Sequence, residues 1–298
     1  MNQPNPDAPP ASPVIPVQLS LEDKFQFRCH KGIACFNKCC ENIDILLTPY
    51  DILRLKKHFG LTAREFIDQY TVDFAMDGQG LPGLKLRTRP GSTACINLTP
   101  EGCGVYADRP AACRYYALGL VSMRRAASPV DEDSYFVVRE DHCLGHDEPV
   151  TQTVGQYRAE QGVDEYDEAT REWRRIILKK RSSGPTVGKP SERSLELFFL
   201  ASYDIDGFRD FVASAGFAEV FDIPAAEKQA LLADDLKLLQ FGFRLLKQVL
   251  FGEMSIAIKK DARDKRMARL RERLAANPVD KATEIANAQD KLYDSLDE

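Results

Sequence analysis

Eight cysteines, Cys29, Cys35, Cys39, Cys40, Cys95, Cys103, Cys113 and Cys143, all fall between residues 29 and 143 of a 298-residue chain. That crowding constrains the fold more than any other feature of the sequence. A chain this long buries roughly three quarters of the surface its unfolded form exposes, so it needs no covalent staples to fold. Hydrophobic residues make up 44% and charged residues 29%, an ordinary globular balance that supplies the core without the thiols. Chemistry is then the reason for the cysteines. Length alone gives a prior of one or two domains.

Compartment decides which chemistry. The first sixteen residues hold six prolines, with neither a positive leading region nor an apolar stretch after it. Residues 1–20 therefore read as a disordered leader and not as a secretory signal. No run approaches ~18 apolar residues, so no membrane-spanning helix and no membrane partner is expected. A cytoplasmic location follows as the expectation, and in a reducing cytoplasm clustered cysteines point to metal or redox chemistry before disulfides. The net charge of -5, from 40 basic and 45 acidic residues, gives no case for a nucleic-acid partner.

The opening cluster, Cys29-x5-Cys35-x3-Cys39-Cys40, puts four thiols in one short segment. Thiolates so close repel unless a cation neutralises them, and a bound metal deprotonates a thiol outright. If residues 35–40 are helical, Cys35 and Cys39 share a face at i and i+4. Cys40 then points about 100° away, left to bind a second metal, bridge two, or pack. The second cluster is Cys95-x7-Cys103-x9-Cys113, with Cys143 an outlier between His142 and His146. Those two histidines and His30 are possible nitrogen ligands, though each reads more simply as a hydrogen-bonding side chain. Glycines 102 and 104 flank Cys103 and let backbone amides approach sulfur. The run Tyr106-x2-Arg109-Pro110-x2-Cys113-Arg114 follows. Its arginines suit a thiolate-rich cluster by charge, which makes Tyr106, Arg109 and Arg114 the candidate cofactor-contacting residues. All eight cysteines are candidate metal ligands. Thiolate-only donors at irregular spacing favour an iron–sulfur cluster, four-iron by preference, with zinc the alternative.

This pattern resembles the bacterial YkgJ-type cysteine-cluster family, described as zinc- or iron-chelating, over about residues 25–146. The start Thr48-Pro49-Tyr50-Asp51 also looks like that family. The usual opening there is C-x2-C-x2-C-C, from which the present spacing departs in both gaps. The segment is also similar to the cysteine-rich part of the flagellin lysine N-methylase family. That resemblance implies an iron–sulfur cluster and, if the chain is an enzyme, protein-lysine N-methyl transfer to a protein substrate. Tyr50, Asp51, Tyr106, Arg109, Arg114 and Tyr116 would then line a pocket beside the cluster.

Elsewhere the patterning is helical. Thr48-Pro49 followed by Asp51 starts a helix that buries Ile52, Leu55 and Phe59 and ends at Gly60, and Ala63 to Tyr70 reads as a second. Residues 71–90 suggest a hairpin about Asp77-Gly78-Gln79-Gly80. Gly78-x-Gly80-x2-Gly83 matches a nucleotide loop only formally, since Pro82 interrupts it and no helix follows. Residues 134–139 read as a strand. Residues 179–194 read as a linker, 194–211 as one or two helices, and the stripe from Leu232 to Leu250 as a buried helix between Pro224 and Gly252. A basic helix over 259–273 reads as a solvated face laced with pairs such as Asp261–Lys265.

The expected architecture is α+β: leader 1–20, an irregular metal-organised cysteine domain over 21–150, helix and linker over 151–194, and an all-helical region over 195–298. The expected function is cysteine-ligated metal binding, with one or two iron–sulfur clusters in a structural or electron-transfer role. A cluster-dependent methyltransferase and a zinc-binding or metal- or redox-sensing accessory protein are the alternatives. The partner is an unidentified protein, or a protein substrate.

Overall fold

A computed structural model describes residues 12–123, 132–182 and 190–262, with positions 264, 265, 268, 271 and 272 beyond. The architecture is α+β, with the strands in the N-terminal part and a helical C-terminal region. Two compact units divide the chain: Met1–Ile45 with Arg87–Tyr166, and Leu46–Leu86 with Asp167–Glu298. The cysteine domain expected over 21–150 is thus interrupted. Residues 46–86 group with the helical C-terminal region.

The first unit is built on short antiparallel pairings. Lys24–Gln26 pairs with Thr151–Thr153, and Leu118–Met123 with Glu132–Val137, in register Leu120↔Tyr135. The end of the leader is not structureless. Isolated bridges Val14↔Val138 and Leu19↔Tyr135 tie it to the second hairpin, and the Ile15 amide donates to the Val137 carbonyl at 2.8 Å. Residues 1–11 lie outside the described residues. Phe25, Phe27, Tyr115, Ala117, Leu118, Tyr135, Val154, Tyr157 and Val163 form the core, and Tyr116 and Cys143 pack against it. Tyr157 meets Phe25 and Phe27 edge to face, at 5.3 and 5.9 Å between ring centres. Arg158 is buried over the rings of Tyr115 and Tyr135 and bonds Asp164 at 2.7 Å.

The second unit begins with Leu46–Leu47, in a three-stranded sheet with Pro82–Leu86 at its centre and Thr71–Ala75 on the far side. Helix Pro49–Phe59 starts in a reciprocal cap. Thr48 Oγ1 accepts from the Asp51 amide at 3.2 Å, while the Asp51 carboxylate accepts from the Thr48 amide at 2.7 Å. Ile52 and Leu55 are buried on its inner face, and Gly60 closes it at φ +66, where a side chain would be strained. Helix Ala63–Tyr70 repeats the device with Thr62 and Glu65. The glycine-rich stretch is a hairpin turn, with Asp77 Oδ1 accepting from the amides of Gln79 and Leu81 at 2.9 and 3.0 Å.

Helix Val163–Ser182 runs into the expected linker, of which residues 183–189 lie outside the described residues. Helices Glu192–Ser202, Ile205–Ala213, Ala215–Val220, Ala225–Ala233 and Asp235–Phe251 follow. The apolar stripe is therefore broken. Asp234 leaves helical geometry and caps the next helix by accepting from the Lys237 amide at 3.0 Å. Leu238, Leu239, Phe241, Phe243, Leu245 and Leu246 are buried as the spacing requires, while Leu236 is exposed. Gly242 lets this helix approach Glu192–Ser202, because a Cβ there would stand 2.9 Å from the Ala201 carbonyl oxygen. Asp206 joins the two halves of the unit: it accepts from Lys56 Nζ at 2.8 Å and from the Ala63 amide at 2.7 Å. In the basic segment, Lys265 pairs with Asp261 at 2.5 Å. Arg263, Arg266, Arg269 and Arg273 lie outside the described residues. Among the described residues no helix is long and apolar enough to cross a membrane.

Candidate metal centre

All eight cysteines belong to the first unit, and none is disulfide-bonded. The opening segment is not an α-helix. Residues 31–37 are turns, and only Lys38–Cys40 form a single 3-10 turn, entered through Asn37 in the left-handed region at φ 72. The shared helical face expected for Cys35 and Cys39 is thus replaced by turns, with the Cys39 and Cys40 sulfurs 3.9 Å apart.

Two connections fold distant cysteines onto this segment. The Leu144 amide donates to Cys35 Sγ at 3.3 Å, and the Arg28 amide donates to the Gly145 carbonyl at 2.9 Å. The residues after Cys143 are held at Cys35 and at Arg28 by this route. On the other side the Cys95 amide donates to the Cys40 carbonyl at 2.8 Å, and Leu98 pairs with Cys103 across a two-residue ladder. The Asn97 amide points back at Cys95 Sγ at 3.4 Å. Cys113 is carried on the short helix Ala111–Tyr115.

The electrostatics report the same gathering. Desolvation, then the thiols of Cys39, Cys35 and Cys143, push Cys29 up to about 11, against the pull of Arg109. The hydrogen bond from Cys40 draws Cys39 down to about 7, and the same bond drives Cys40 strongly up, helped by desolvation and by Cys113 and Cys95. Burial also raises Cys95, Cys103 and Cys143, with like charge from other cysteines adding to each. Cys29, Cys40, Cys95, Cys103 and Cys143, raised by burial and by neighbouring thiols, would be relieved by a cation. Their chemistry fits a thiophilic metal, since sulfur-only donors select zinc or iron–sulfur centres. Among the described residues no three Cys, His, Asp or Glu side chains are drawn close enough to grip a single ion.

The histidines are engaged elsewhere. His30 Nε2 lies 3.3 Å from Glu148, and His142 lies 3.7 Å from Glu140. Buried His146 meets the Val138 carbonyl at 3.0 Å through Nε2 and packs on Phe27.

Of the three candidate cofactor contacts, Arg114 is a buried knot. Its guanidinium bonds the carbonyls of Arg109 (3.0 Å), Gln161 (2.7 Å) and Ala107, reaches the Tyr166 hydroxyl at 3.1 Å, and stacks on that ring. Arg109 bonds the Tyr106 carbonyl at 2.8 Å and Gln161 Oε1 at 2.6 Å, and its charge lowers both Cys29 and Cys103. Tyr106 is 61% exposed and lies under the Arg109 guanidinium. Tyr50 and Asp51 belong to the second unit, and Asp51 is spent in its helix cap. The Tyr116 hydroxyl is buried without a hydrogen-bond partner among the described residues, with Glu140 and Cys143 beside it. Gln161 and Tyr166, which anchor the arginines, carry no signal of that role in the sequence.

Buried Arg109 and Arg114 thus brace the turns that carry Cys103 and Cys113. Residues 28–144 match the family model CxxCxxCC, described as "Putative zinc- or iron-chelating domain". No curated protein and no solved structure matches the chain.

Proposed function

We propose that residues 28–144 bind iron–sulfur through cysteine, in a structural or electron-transfer role. The observation that carries this reading is that all eight thiols lie in one unit, the Cys39 and Cys40 sulfurs 3.9 Å apart, while the histidines are turned to carboxylates and backbone. Iron–sulfur centres are held by cysteine thiolates and tuned by hydrogen bonds to sulfur. The amides of Leu144 and Asn97 already supply such bonds to Cys35 and Cys95. When bound, the centre would supply one-electron chemistry. The chain's part is to hold the thiolates and offset their charge through Arg109.

The test is metal and acid-labile sulfide analysis of anaerobically purified protein, with absorption spectra before and after dithionite. Iron with sulfide and a bleachable visible band is the expected result. Zinc without sulfide would overturn the iron–sulfur assignment and leave a structural thiolate site.

A further inference from the structure

We propose that residues 12–19 are a strap that holds the loop carrying Cys143, so that docking and release of the strap set how that loop is presented. All of these residues belong to the first unit, and the strap stands whatever the cysteines bind.

The loop leaves strand Glu132–Val137 and returns at Asp147. The Val138 amide donates to the Ala117 carbonyl at 2.9 Å, and the next amide, of Arg139, donates to the Pro13 carbonyl of the strap at 2.8 Å. The two feet of the loop then meet. The Arg139 guanidinium pairs with Asp147 at 3.0 Å, and buried His146 Nε2 lies 3.0 Å from the Val138 carbonyl. Inside the loop the Cys143 amide donates to the Glu140 carbonyl at 2.9 Å, which ties Cys143 to the foot that the strap holds. Ile15 completes the base. Its amide donates to the Val137 carbonyl at 2.8 Å, and it walls a cavity of about 370 Å³ with Phe25, Val137, Arg139, His146 and Asp147.

The strap is built both to close the sheet edge and to let go. Five steps along it, from Val14 to Leu19, oppose three along the chain it pairs with, from Tyr135 to Val138. The surplus is taken up at Pro16, where the Val17 amide turns back to the Ile15 carbonyl at 2.8 Å. Pro13 and Pro16 offer no amide, which blunts the outer edge against a further strand. Val14, Ile15 and Val17 are 41%, 37% and 56% exposed, so little apolar surface holds the strap down. A segment with few buried contacts and exposed backbone bonds is among the first to open. The prolines restrict the released segment and lower the entropy cost of docking again. Opening at Ile15 and Pro13 frees the Arg139 amide, and with it the foot to which Cys143 is tied.

The experiment compares amide hydrogen exchange, resolved to single residues by mass spectrometry with fragmentation, in the full chain as purified and in Ile15→Ala and Val17→Ala. Ile15→Ala should speed exchange at both Arg139 and Cys143 about tenfold, the factor that follows from losing the partial burial of Ile15. The Phe27 amide, which donates to the Val150 carbonyl, should keep its rate, and Val17→Ala, on the exposed bulge, should change none of the three. Faster exchange at Arg139 with Cys143 unchanged overturns the proposal, as does an equal effect of Val17→Ala or no effect of Ile15→Ala. If the Phe27 amide speeds as well, the whole unit has loosened and the wild type decides: equal protection at Ile15, Arg139 and Cys143 sustains the strap, and unequal protection refutes it.

Discussion

Replacing Arg114 tests whether this side chain braces the cysteine loop from within the protein or waits for a ligand. It is 7% exposed and serves the carbonyls of Ala107, Arg109 and Gln161 and the Tyr166 hydroxyl. A hydrogen bond to a charged group contributes about 1.5–3 kcal/mol, and stacking over an aromatic ring about 0.5–2 kcal/mol. These contributions do not add within one network, and burying the guanidinium offsets part of them. Arg114→Ala leaves the carbonyl of buried Arg109 and the Tyr166 hydroxyl without this donor, and a loss of about 1–3 kcal/mol follows, the cost of a buried group left unsatisfied. Arg114→Lys keeps the charge but not the planar fork, and should recover less than half. Urea unfolding followed by circular dichroism, on reduced metal-free protein, reads the difference without any contribution from metal. A loss under about 1 kcal/mol for the alanine variant, or full recovery by lysine, would refute the bracing role.

In Gly242→Ala, the new methyl meets the Ala201 carbonyl, which cannot move without its helix, so a cost of about 1–3 kcal/mol is expected from thermal unfolding; an unchanged midpoint would contradict the close helix crossing. Gly145→Ala drives a Cβ to 2.6 Å from the Phe27 ring and 2.9 Å from the Arg28 carbonyl, beside Cys143. Metal content should fall, and full retention would show that this turn does not position Cys143. Burial raises the Asp206 carboxyl, but the bonds from Lys56 and the Ala63 amide outweigh it and hold the group below its ordinary 3.8. A depressed folded pKa stabilises fully above the ordinary value and loses that stabilisation as pH falls beneath it. Asp206→Asn should therefore flatten the decline of the urea midpoint between about pH 5 and pH 3, and a slope equal to wild type would exclude the linkage. Truncation near residue 185 removes the helices that share a unit with residues 46–86. Such a product should expose the buried faces of Pro49–Phe59 and Ala63–Tyr70 and bind a hydrophobic dye, which a stable product would not.

Local signals carried much of this fold. Thr48 with Asp51 and Thr62 with Glu65 place two helix starts to the residue, because a cap needs only residues three positions apart. The hairpin about Asp77 and the buried stripe of Asp235–Phe251 are equally local. The break at Asp234 was written there too, as a capping residue inside an apolar periodicity that runs straight through it. Residues 46–86 carry no local mark of the unit to which they belong. Their apolar faces suit any complementary surface, and the partner is fixed only when Asp206 meets Lys56 and the Ala63 amide from 150 residues away.

The sequence alone determined that this chain gathers thiols: eight cysteines in under half its length, with arginines and glycines among them, admit few fates besides a metal. Which cysteine-bearing segments lie side by side was decided by tertiary structure. Nearness along the chain joins Cys40 to Cys39 and leaves Cys143 alone. Backbone bonds between distant segments bring Cys95 to Cys40 and the Cys143 turn to Cys35. Arg114 shows the same division: its charge suggested a ligand, and its burial among three carbonyls and a tyrosine made it a brace. A side chain's type states what it can bond, and only the folded chain settles which of those bonds is within reach.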